Sequence, residues 1–295
     1  MLSILIPVFN GTVEPLVMRL REQAALLSVP WEIVVCEDAS TDTEAREANR
    51  NLSNRHRLIY LENDTNMGRI ATRNRLAATA QYPWLLFLDA DVMPPDDSFL
   101  MRYVSYFEKE FELIMGGFAY QAVLPKVSQS LRWKFGRNRE SINAVLRNKK
   151  PYRVFISANY LIKKTVYLDV IGSLNIPTYG SDSAIAAVLL SHKTKVLHID
   201  NPVWHMGLEE NTVFLEKTRS AVCTLHTLAN NNPGLLTQNK LYNAFLKVKF
   251  LHCRQPIAFF FKLFRVPMEK QLTGKNPALF LFDLYRLGYL CHLYN

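Results

Sequence analysis

The chain has 295 residues, of which 49% are hydrophobic and 21% are charged. This composition excludes disorder on any large scale, and the length suits one large domain or one domain with an appendage. The formal net charge is +9, and most of it lies after residue 239, where nine Lys and Arg residues face only Glu269 and Asp283. A basic tail on a near-neutral body suggests an anionic surface as partner.

The N-terminal residues and the cysteines indicate the cellular compartment. The first residues have no basic flank, their apolar run breaks at Pro7, and no run reaches the roughly 18–20 apolar residues of a spanning helix. The scattered cysteines are typical of reduced thiols, not of a disulfide framework or a zinc site: Cys36, Cys223, Cys253 and Cys291. We therefore expect a protein that lies either in the cytoplasm or peripherally on the inner face of the membrane.

In chain order, the first 98 residues alternate between apolar runs and amphipathic segments. The predicted strands are Leu2–Val8, Trp31–Cys36, Arg57–Leu61 and Trp84–Leu88, and the predicted helices are Glu14–Leu27, Ser40–Leu52 and Arg69–Ala80. This alternation is typical of an α/β protein whose parallel sheet is covered by helices. Ligands bind beyond the carboxyl ends of such strands, so we expect Asn10, Asp38, Asp89 and Asp91 to gather at one edge.

After residue 98 the predicted elements are mixed. They are a helix Phe99–Phe111, a strand Leu113–Met115, a basic helical or irregular stretch Gln121–Tyr152, a strand Val154–Ile162, a helix Ser183–Leu190, a strand Lys195–Ile199 and a helix Glu209–Ala229. Residues 230–234, NNNPG, predict a boundary. We therefore expect a main domain, residues 1–232, and a basic, aromatic, helical C-terminal extension, residues 233–295.

Two carboxylates one residue apart, Asp89 and Asp91, follow the strand predicted to end at Leu88. Divalent cations such as Mg²⁺ and Mn²⁺ take oxygen ligands, are shared with substrate phosphates, and neutralise the charge of a diphosphate leaving group. The alternative is a solvated acidic turn before Pro94 and Pro95. The motif alone is short and leaves both interpretations open.

Three further segments give this motif a context. Residues 4–10 read ILIPVFN, residues 33–42 read IVVCEDASTD, residues 66–74 read NMGRIATRN, and residues 87–91 read FLDAD. In this order and spacing they resemble the family 2 glycosyltransferases, over roughly the first three quarters of the chain. The resemblance implies a GT-A fold, a Rossmann-like mixed sheet flanked by helices, with a nucleotide-binding half at about 1–98 and an acceptor half at about 99–232. It implies inverting transfer of a sugar from a nucleotide-sugar donor to an acceptor hydroxyl, with Mn²⁺ or Mg²⁺ as cofactor.

The resemblance also carries the family's donor contacts onto this chain. The implied donor-binding residues are Pro7, Phe9, Asn10, Glu37, Asp38, Asn66, Arg69, Arg73, Asp89 and Asn159. Pro7 and Phe9 would line the nucleotide pocket, and Asp38 would accept a hydrogen bond from the base, which suggests uracil and a UDP-sugar. Glu37 stands where the family usually has aspartate.

The arginines and Asn74 have alternatives that the sequence leaves open. Arg69 and Arg73 suit donor phosphates because guanidinium pairs well with phosphate oxygens, but they equally suit a solvated helix face. Asn74 is expected to be structural and to bond the acidic turns.

The implied metal ligands are Asp91, Asp89 and His205. Asp91 would be the firmest of them. His205 lies past the strand Lys195–Ile199, where related enzymes often supply a metal or phosphate contact, whereas His198 lies within that strand and is expected to be structural.

The implied catalytic base is Asp182, in the segment 179–182, YGSD. The family places its catalytic carboxylate at about this distance after the Asp-x-Asp motif, usually in an acidic pair, but here Ser181 replaces one acid. An inverting transfer needs a base to take the acceptor proton. The alternative is an ordinary N-cap, which Ser and Asp commonly form.

Two rival functions remain open at this stage. A nucleotidyltransferase would more often carry a Gly-rich phosphate loop after its first strand, and this chain has only Gly11 there. A non-enzymatic membrane-binding or nucleic-acid-binding protein would explain the charge but not the acidic cluster, and we expect no nucleic acid partner.

The C-terminal extension interleaves aromatic residues with Lys and Arg in Pro256–Val266 and Ala278–Tyr294. This pattern suits helices in an anionic membrane interface, and equally suits helices that pack on the main domain. In the first case the acceptor would be a glycan or a lipid-linked sugar in surface polysaccharide or glycolipid synthesis.

Overall fold

The computed structural model describes residues 1–56, 58–124, 126–174, 180–231 and 233–295. The strands are Leu2–Val8 (β1), Trp31–Glu37 (β2), Ile59–Glu62 (β3), Trp84–Leu88 (β4), Val92–Met93 (β5), Leu113–Met115 (β6), Phe118–Ala119 (β7), Asn159–Lys163 (β8), Val196–His198 (β9) and Val203–His205 (β10). The helices are Glu14–Ala24 (α1), Thr43–His56 (α2), Arg69–Thr79 (α3), Phe99–Val104 (α4), Ser130–Phe135 (α5), Ala144–Asn148 (α6), Lys164–Val166 (α7), Asp182–Ser191 (α8), Asn211–Asn231 (α9), Lys240–Phe250 (α10), Arg254–Leu272 (α11) and Leu279–Leu293 (α12).

Strand β1 lies between β2 and β4 and runs parallel to both. Alternate residues of a strand point to opposite faces of the sheet. On one face Ile4 and Ile6 pack with α1, and on the other Leu5 packs with α3. Burial on both faces explains why the strand is a continuous apolar run. The predicted α/β fold is confirmed, and β1, β4 and β6 have the predicted bounds.

The main sheet is mixed and has the strand order β3-β2-β1-β4-β8-β6-β9. Strand β8 is antiparallel to both β4 and β6, while β9 is parallel to β6. Strands β4, β6 and β9 therefore all point in the same direction. Their carboxyl ends, and those of β1 and β2, meet at one edge of the sheet.

A second, three-stranded sheet forms beside that edge, with the order β5-β10-β7. Strand β5 begins directly after Asp91, and its Val92 pairs with His205 of β10. Strands of two or three residues carry too little periodicity to be recognised in a sequence. This small sheet was therefore not predicted.

Two predicted elements differ from the structure for the same physical reason. The helix predicted to run from Phe99 to Phe111 ends at Val104, and the strand predicted from Val154 begins at Asn159. Phe155 and Ile156 are nevertheless buried, and Phe107 packs on the core from a turn. A run of apolar residues indicates that a segment is buried. It does not show that the segment is a helix or a strand, because irregular backbone can be buried as well. Position 57, where the third strand was predicted to begin, lies outside the described residues.

The C-terminal helices pack on α9 and on one another. Phe245 of α10 and Leu290 of α12 share a cluster with Val222 of α9. A second cluster joins Phe261 of α11 and Phe282 of α12 to α9 and α5. The extension thus has its own apolar contacts with the main domain. None of the helices in the described part of the chain is long and apolar enough to cross a bilayer.

Candidate active site

The loops after β1 and β2 are joined by the side chain of Asn10. Its Oδ1 accepts hydrogen bonds from the backbone N–H groups of Thr41 (2.8 Å) and Asp42 (3.1 Å), and its own N–H donates to Ser40 Oγ (2.7 Å). Asn10 has a left-handed backbone, with φ of 53°, which Asn tolerates better than most residues. Asn10 therefore shapes the loop, while the ring of its neighbour Phe9 is left half exposed at the carboxyl end of β1.

Asp38, at the carboxyl end of β2, holds the turn that leads into α3. Its Oδ1 accepts from Met67 N–H (2.9 Å) and from Asn63 Nδ2 (2.7 Å), and its Oδ2 accepts from Gly68 N–H (2.9 Å). The amide of Asn66 donates to the Asp38 carbonyl at 3.2 Å. The predicted donor residues Asp38 and Asn66 are thus brought together, and Asp38 is almost fully buried.

Two of the predicted donor residues are completely buried and have structural roles instead. Glu37 accepts from Ser40 Oγ and from Asn49 Nδ2. Asn159 accepts from the Tyr103 hydroxyl (2.7 Å) and donates to the Gly117 and Asn201 carbonyls. Neither side chain has surface open to a ligand, since both are 0% exposed. We therefore correct both assignments. A sequence segment shows where a residue lies along the chain, but it does not show which side chains form all their hydrogen bonds within the folded protein.

Asn74 is structural, as predicted, but its partners differ from those expected. Its amide donates to the Gly172 carbonyl at 3.0 Å and accepts from the Tyr167 hydroxyl at 2.8 Å. It contacts neither acidic turn through these bonds. It anchors α3 to the segment after α7.

Asp89, at the carboxyl end of β4, binds two arginines from the first turns of α3. Arg69 Nη2 lies 3.0 Å from Asp89 Oδ2, and Arg73 Nη2 bonds Asp89 Oδ1. The side chain of Arg73 is only 7% exposed, whereas that of Arg69 is 47% exposed. Residues four apart on a helix share a face, which is how both reach one carboxylate. Both oxygens of Asp89 are thus engaged by the two arginines, and its role as a metal ligand stays a prediction.

A hydrogen-bonded chain continues from the arginines to Asp182. Arg69 Nη2 donates to Ser157 Oγ (3.3 Å), Arg73 Nη2 donates to the Ser157 carbonyl (3.2 Å), and Ser157 Oγ donates to Asp182 Oδ2 (3.3 Å). Asp182 is the first residue of α8, and Ser181 before it forms no side-chain cap. Burial raises the pKa of the Asp182 carboxyl, and the charges of Arg69 and Arg73 offset part of that rise. Tyr179 of the same segment lies outside the described residues.

Asp91 faces a different partner from Asp89. His205 Nε2 lies 3.5 Å from Asp91 Oδ2, because β10 pairs with β5 directly after Asp91. A Cβ at position 207 would collide with the Asp91 carboxylate, so Gly207 leaves it room. Burial lowers the pKa of His205, whose ring packs on Phe118 and Tyr120, and so favours the neutral imidazole.

Asp91 and His205 fit a divalent cation in the type and placement of their donors. A carboxylate oxygen and a neutral imidazole nitrogen are ligands that Mn²⁺ and similar ions take. Nε2 of His205 is the nitrogen turned toward Asp91, and Nδ1 is buried without a hydrogen-bond partner. No third His, Cys, Asp or Glu joins them within the described residues. A cation here would need its remaining ligands from elsewhere, and substrate phosphates are the ordinary source.

A charged network that the sequence did not reveal stands behind His205. Arg132 lies 2.9 Å from Glu140 and 3.4 Å from Glu209, and its guanidinium stacks over the ring of Tyr120. Tyr120 in turn donates to Glu140. Arg132 and Glu140 come from the basic stretch, Glu209 comes from the loop before α9, and Tyr120 directly follows β7. Only the tertiary fold brings them beside the His205 ring.

His198, at the end of β9, is buried and structural, as expected. Its ring contacts Arg147 (3.2 Å) and the Pro151 carbonyl (2.9 Å). Burial lowers its pKa to about 4, so it is neutral at physiological pH.

The family of the chain follows from its sequence. The family model described as "Glycosyl transferase family 2" matches residues 3–166, which is more than half of the chain. The chain belongs to glycosyltransferase family 2. The matched residues include β1, the turn at Asp38, the arginine-bearing start of α3, and both Asp89 and Asp91, and this protein is accordingly a glycosyltransferase. No curated protein matches the chain by sequence.

Solved structures share the fold of this glycosyltransferase. Mannosyltransferase PcManGT from Pyrobaculum calidifontis, in complex with GDP-Man and Mn²⁺, is 15% identical over 99% of this chain and 87% of its own, with a TM-score of 0.61. Glucosyl-3-phosphoglycerate synthase from Mycobacterium tuberculosis, with Mn²⁺, UDP and glucosyl-3-phosphoglycerate, is 14% identical over 77% and 79%, with a TM-score of 0.52. S. aureus TarS 1-349 with UDP-GlcNAc is 15% identical over 97% and 89%, with a TM-score of 0.50. These similarities show the GT-A fold.

Proposed function

We propose that this glycosyltransferase moves a sugar from a UDP-sugar to an acceptor hydroxyl with inversion, using Asp182 as the base. The observation that carries the proposal is the chain of contacts from Asp89 through Arg69 and Ser157 to Asp182. It links the acidic motif of the donor side to a partly buried carboxylate of the other half of the domain. One-step transfer needs the donor and the base close together, and this chain of contacts supports that proximity.

The nucleotide lies on the loops after β1 and β2 in this proposal. The half-exposed ring of Phe9 offers a face for the base, with Pro7 beside it, and Asp38 sits at the end of the neighbouring strand. The resemblance to the family assigns Asp38 to a base N–H, which suits uracil. Two of the three compared structures hold uridine nucleotides and one holds a guanosine nucleotide. The choice of UDP is tested directly by comparing uridine and guanosine donors.

The donor diphosphate lies between Arg69 and the pair Asp91 and His205. When bound there, Mn²⁺ or Mg²⁺ neutralises the negative charge that the leaving diphosphate develops. Asp91 and His205 would hold the ion, and the exposed part of Arg69 would reach phosphate oxygens. Arg73 stays on Asp89, because it is buried, and keeps the end of β4 in place.

Asp182 takes the proton of the acceptor hydroxyl as the oxygen attacks the anomeric carbon. The new C–O bond forms on the face opposite the breaking bond to the diphosphate, so a single displacement inverts the configuration. A base works best when its pKa lies closer to the working pH than that of an ordinary Asp. Burial raises the pKa of Asp182 in that direction.

The acceptor is proposed to be a glycan on a lipid, presented at an anionic membrane surface. Helix α11 packs on the protein through Ala258, Phe261 and Leu272, and its other side is exposed. Phe259 is 65% exposed and Leu263 is 60% exposed. Exposed apolar side chains among Lys residues suit a helix in a membrane interface. This would serve surface polysaccharide or glycolipid synthesis.

The test is nucleotide release from a panel of donors. The protein is incubated with UDP-glucose, UDP-galactose, UDP-GlcNAc and GDP-mannose, with Mn²⁺ or with EDTA, and the released diphosphate is measured. Metal-dependent release of UDP is expected, and the anomeric configuration of any transfer product is read by NMR. Release of GDP alone would reject the uridine assignment. A retained configuration would reject inversion, and undiminished release in EDTA would reject the metal.

A further inference from the structure

A large cavity lies between the main domain and the C-terminal helices, and neither Asp91 nor Asp182 is part of its lining. Its volume is about 810 Å³, within the range of small-molecule sites. One wall comes from residues 139–154, and the other from the start of α10 and the middle of α12. His198 lines its inner side, and it ends β9, which points in the same direction as β4. The cavity therefore lies at the same edge of the sheet as the candidate active site.

The cavity is strongly cationic. Its lining contains seven Lys and Arg residues and one carboxylate, Asp283. Asp283 is already shared by Arg139 at 2.8 Å and Arg286 at 3.9 Å. The guanidinium of Arg147 already forms hydrogen bonds within the protein, since it donates to the Gly116 and Ile199 carbonyls.

Four of these cations have no carboxylate partner within the described residues: Lys149, Lys150, Arg153 and Lys240. All four are exposed and come from two separate parts of the chain. Like charges placed around one hollow repel one another, and a bound anion relieves that repulsion. His198 adds no charge, because its pKa is lowered to about 4.

The same cavity has apolar walls. Leu146, Leu241, Leu284 and Leu287 line it, and Leu146 and Leu284 are about half exposed. Phe280 lies one helical turn before Leu284 on α12 and is 73% exposed. Residues four apart share a helix face, so an apolar strip leads from the cavity to the surface of the C-terminal helices. A small sugar phosphate would leave this strip unused.

We propose that this cavity binds the phosphate end of an anionic lipid, with Lys149, Lys150, Arg153 and Lys240 around the phosphate and the lipid chain along the leucine wall. Phosphate matches the unpaired cations in charge, and an acyl or isoprenoid chain matches the strip from Leu287 to Phe280. The inference rests on the proposed membrane setting and names the chemistry by which a lipid-linked acceptor is held at the same edge of the sheet as the proposed transfer site. It does not depend on which donor is used.

The test is binding of dioctanoyl phosphatidic acid, below its micelle concentration, to the full-length protein by titration calorimetry. Inorganic phosphate and dioctanoylglycerol are the comparison ligands. Saturable binding of the phosphatidic acid, and much weaker binding of the other two, is expected. Equal binding of inorganic phosphate would show a site for free phosphate, and equal binding of dioctanoylglycerol would show an apolar site. Either result overturns the proposal, as does absence of binding.

Variants locate the site and separate this proposal from the transfer chemistry. Lys150→Ala and Lys240→Ala should each weaken binding about fivefold, the effect of one basic residue near an anionic lipid surface. Leu284→Ser should weaken the binding of phosphatidic acid but should not change the binding of inorganic phosphate. Lys109→Ala, an exposed lysine outside the cavity, is the matched control and should bind like the wild type. Unchanged binding in all cavity variants overturns the site. Metal-dependent donor hydrolysis, measured on the same proteins, should be unchanged, so a failure of the transferase proposal would show in that assay alone.

Discussion

The Nε2 atom of His205 lies 3.5 Å from the Oδ2 atom of Asp91, although the two residues come from distant parts of the chain. The pairing of β5 with β10 fixes this approach, and Gly207 leaves space for the carboxylate. By contrast, Asp89, two residues earlier, is held by Arg69 and Arg73. The two acids of one short motif thus face different partners and take different roles in the proposed reaction.

Asp91→Ala should abolish metal-dependent transfer while the fold stays intact. The reason is that Asp91 supplies one of the two proposed protein ligands and its side chain is 46% exposed, so little packing is lost. Activity is measured across a Mn²⁺ titration and folding by thermal unfolding. Asp64→Ala, at an exposed acid away from the site, is the matched control. Turnover of Asp91→Ala at the wild-type rate would sink the metal hypothesis.

His205→Ala should raise the Mn²⁺ concentration needed for half-maximal activity by about 10-fold or more, because an imidazole ligand is lost. The readout is the metal dependence of initial rates at saturating donor. The exposed His192 provides the control substitution, His192→Ala. A variant whose rate falls at all metal concentrations alike would assign His205 to packing instead.

Asp182→Asn should keep donor binding and lose transfer by about 100-fold or more, which is the usual contribution of a general base. The effect should fall on kcat, because the base acts in the chemical step. Donor affinity is measured by calorimetry and turnover by product formation. Turnover within about tenfold of the wild type would place the base elsewhere.

The pH dependence of the wild type should show an acid limb set by Asp182. Burial raises the pKa of this carboxyl, so the ionised base is lost at a higher pH than the value of about 3.9 for an ordinary Asp. The same shift means that the folded protein binds this proton more tightly than the unfolded chain. The stability that Asp182 contributes is therefore present at low pH and lost as the pH rises through the raised pKa. Asp182→Asn should accordingly unfold at or above the wild-type temperature at pH 8, and a clearly lower temperature would contradict the shift.

Arg69→Ala and Arg73→Ala should differ although both arginines bind Asp89. Removing Arg73, which is 7% exposed, leaves a carboxylate without its buried partner and should lower the free energy of unfolding by about 3–5 kcal/mol. Removing the half-exposed Arg69 should change it by at most about 1 kcal/mol and instead weaken donor binding. Urea unfolding and donor titration check the two parts. Equal destabilisation by both substitutions would refute the division of roles.

The exposed side of α11 should bind anionic vesicles. Wild-type protein is expected to co-sediment with phosphatidylglycerol vesicles at low salt, and the triple substitution Phe259→Ser, Phe260→Ser and Leu263→Ser should leave it in the supernatant. Removing three exposed apolar residues from the main domain, by Leu26→Ser, Met101→Ser and Val145→Ser, is the matched control. Wild-type protein that stays in the supernatant, or forms dimers through this face in light scattering, would reject the membrane role.

The sequence alone determined the strands and helices of the first 98 residues most closely. β1 and β4 are predicted to the residue because burial on both faces demands unbroken apolar runs, and the polar residues after them meet at one edge for topological reasons. The motif segments sufficed to indicate the family, since they are local in the chain. Asp89 and Asp91 are predicted as site residues from one of these segments, and Asp182 is predicted from the family resemblance.

What only the tertiary structure decided is which of these side chains are free to act. Glu37 and Asn159 occupy motif positions, yet both side chains are buried and form their hydrogen bonds with other residues of the protein interior. His205 reaches Asp91 because two short strands pair, and strands this short leave no periodic pattern in the sequence. Arg132 and Glu140 lie beside His205, but they come from a stretch in which the sequence shows only a high positive charge. The physical reason is that periodicity and motifs report on neighbours along the chain. Partners of a buried polar group are chosen by packing in three dimensions, where distant segments compete for the same hydrogen bonds.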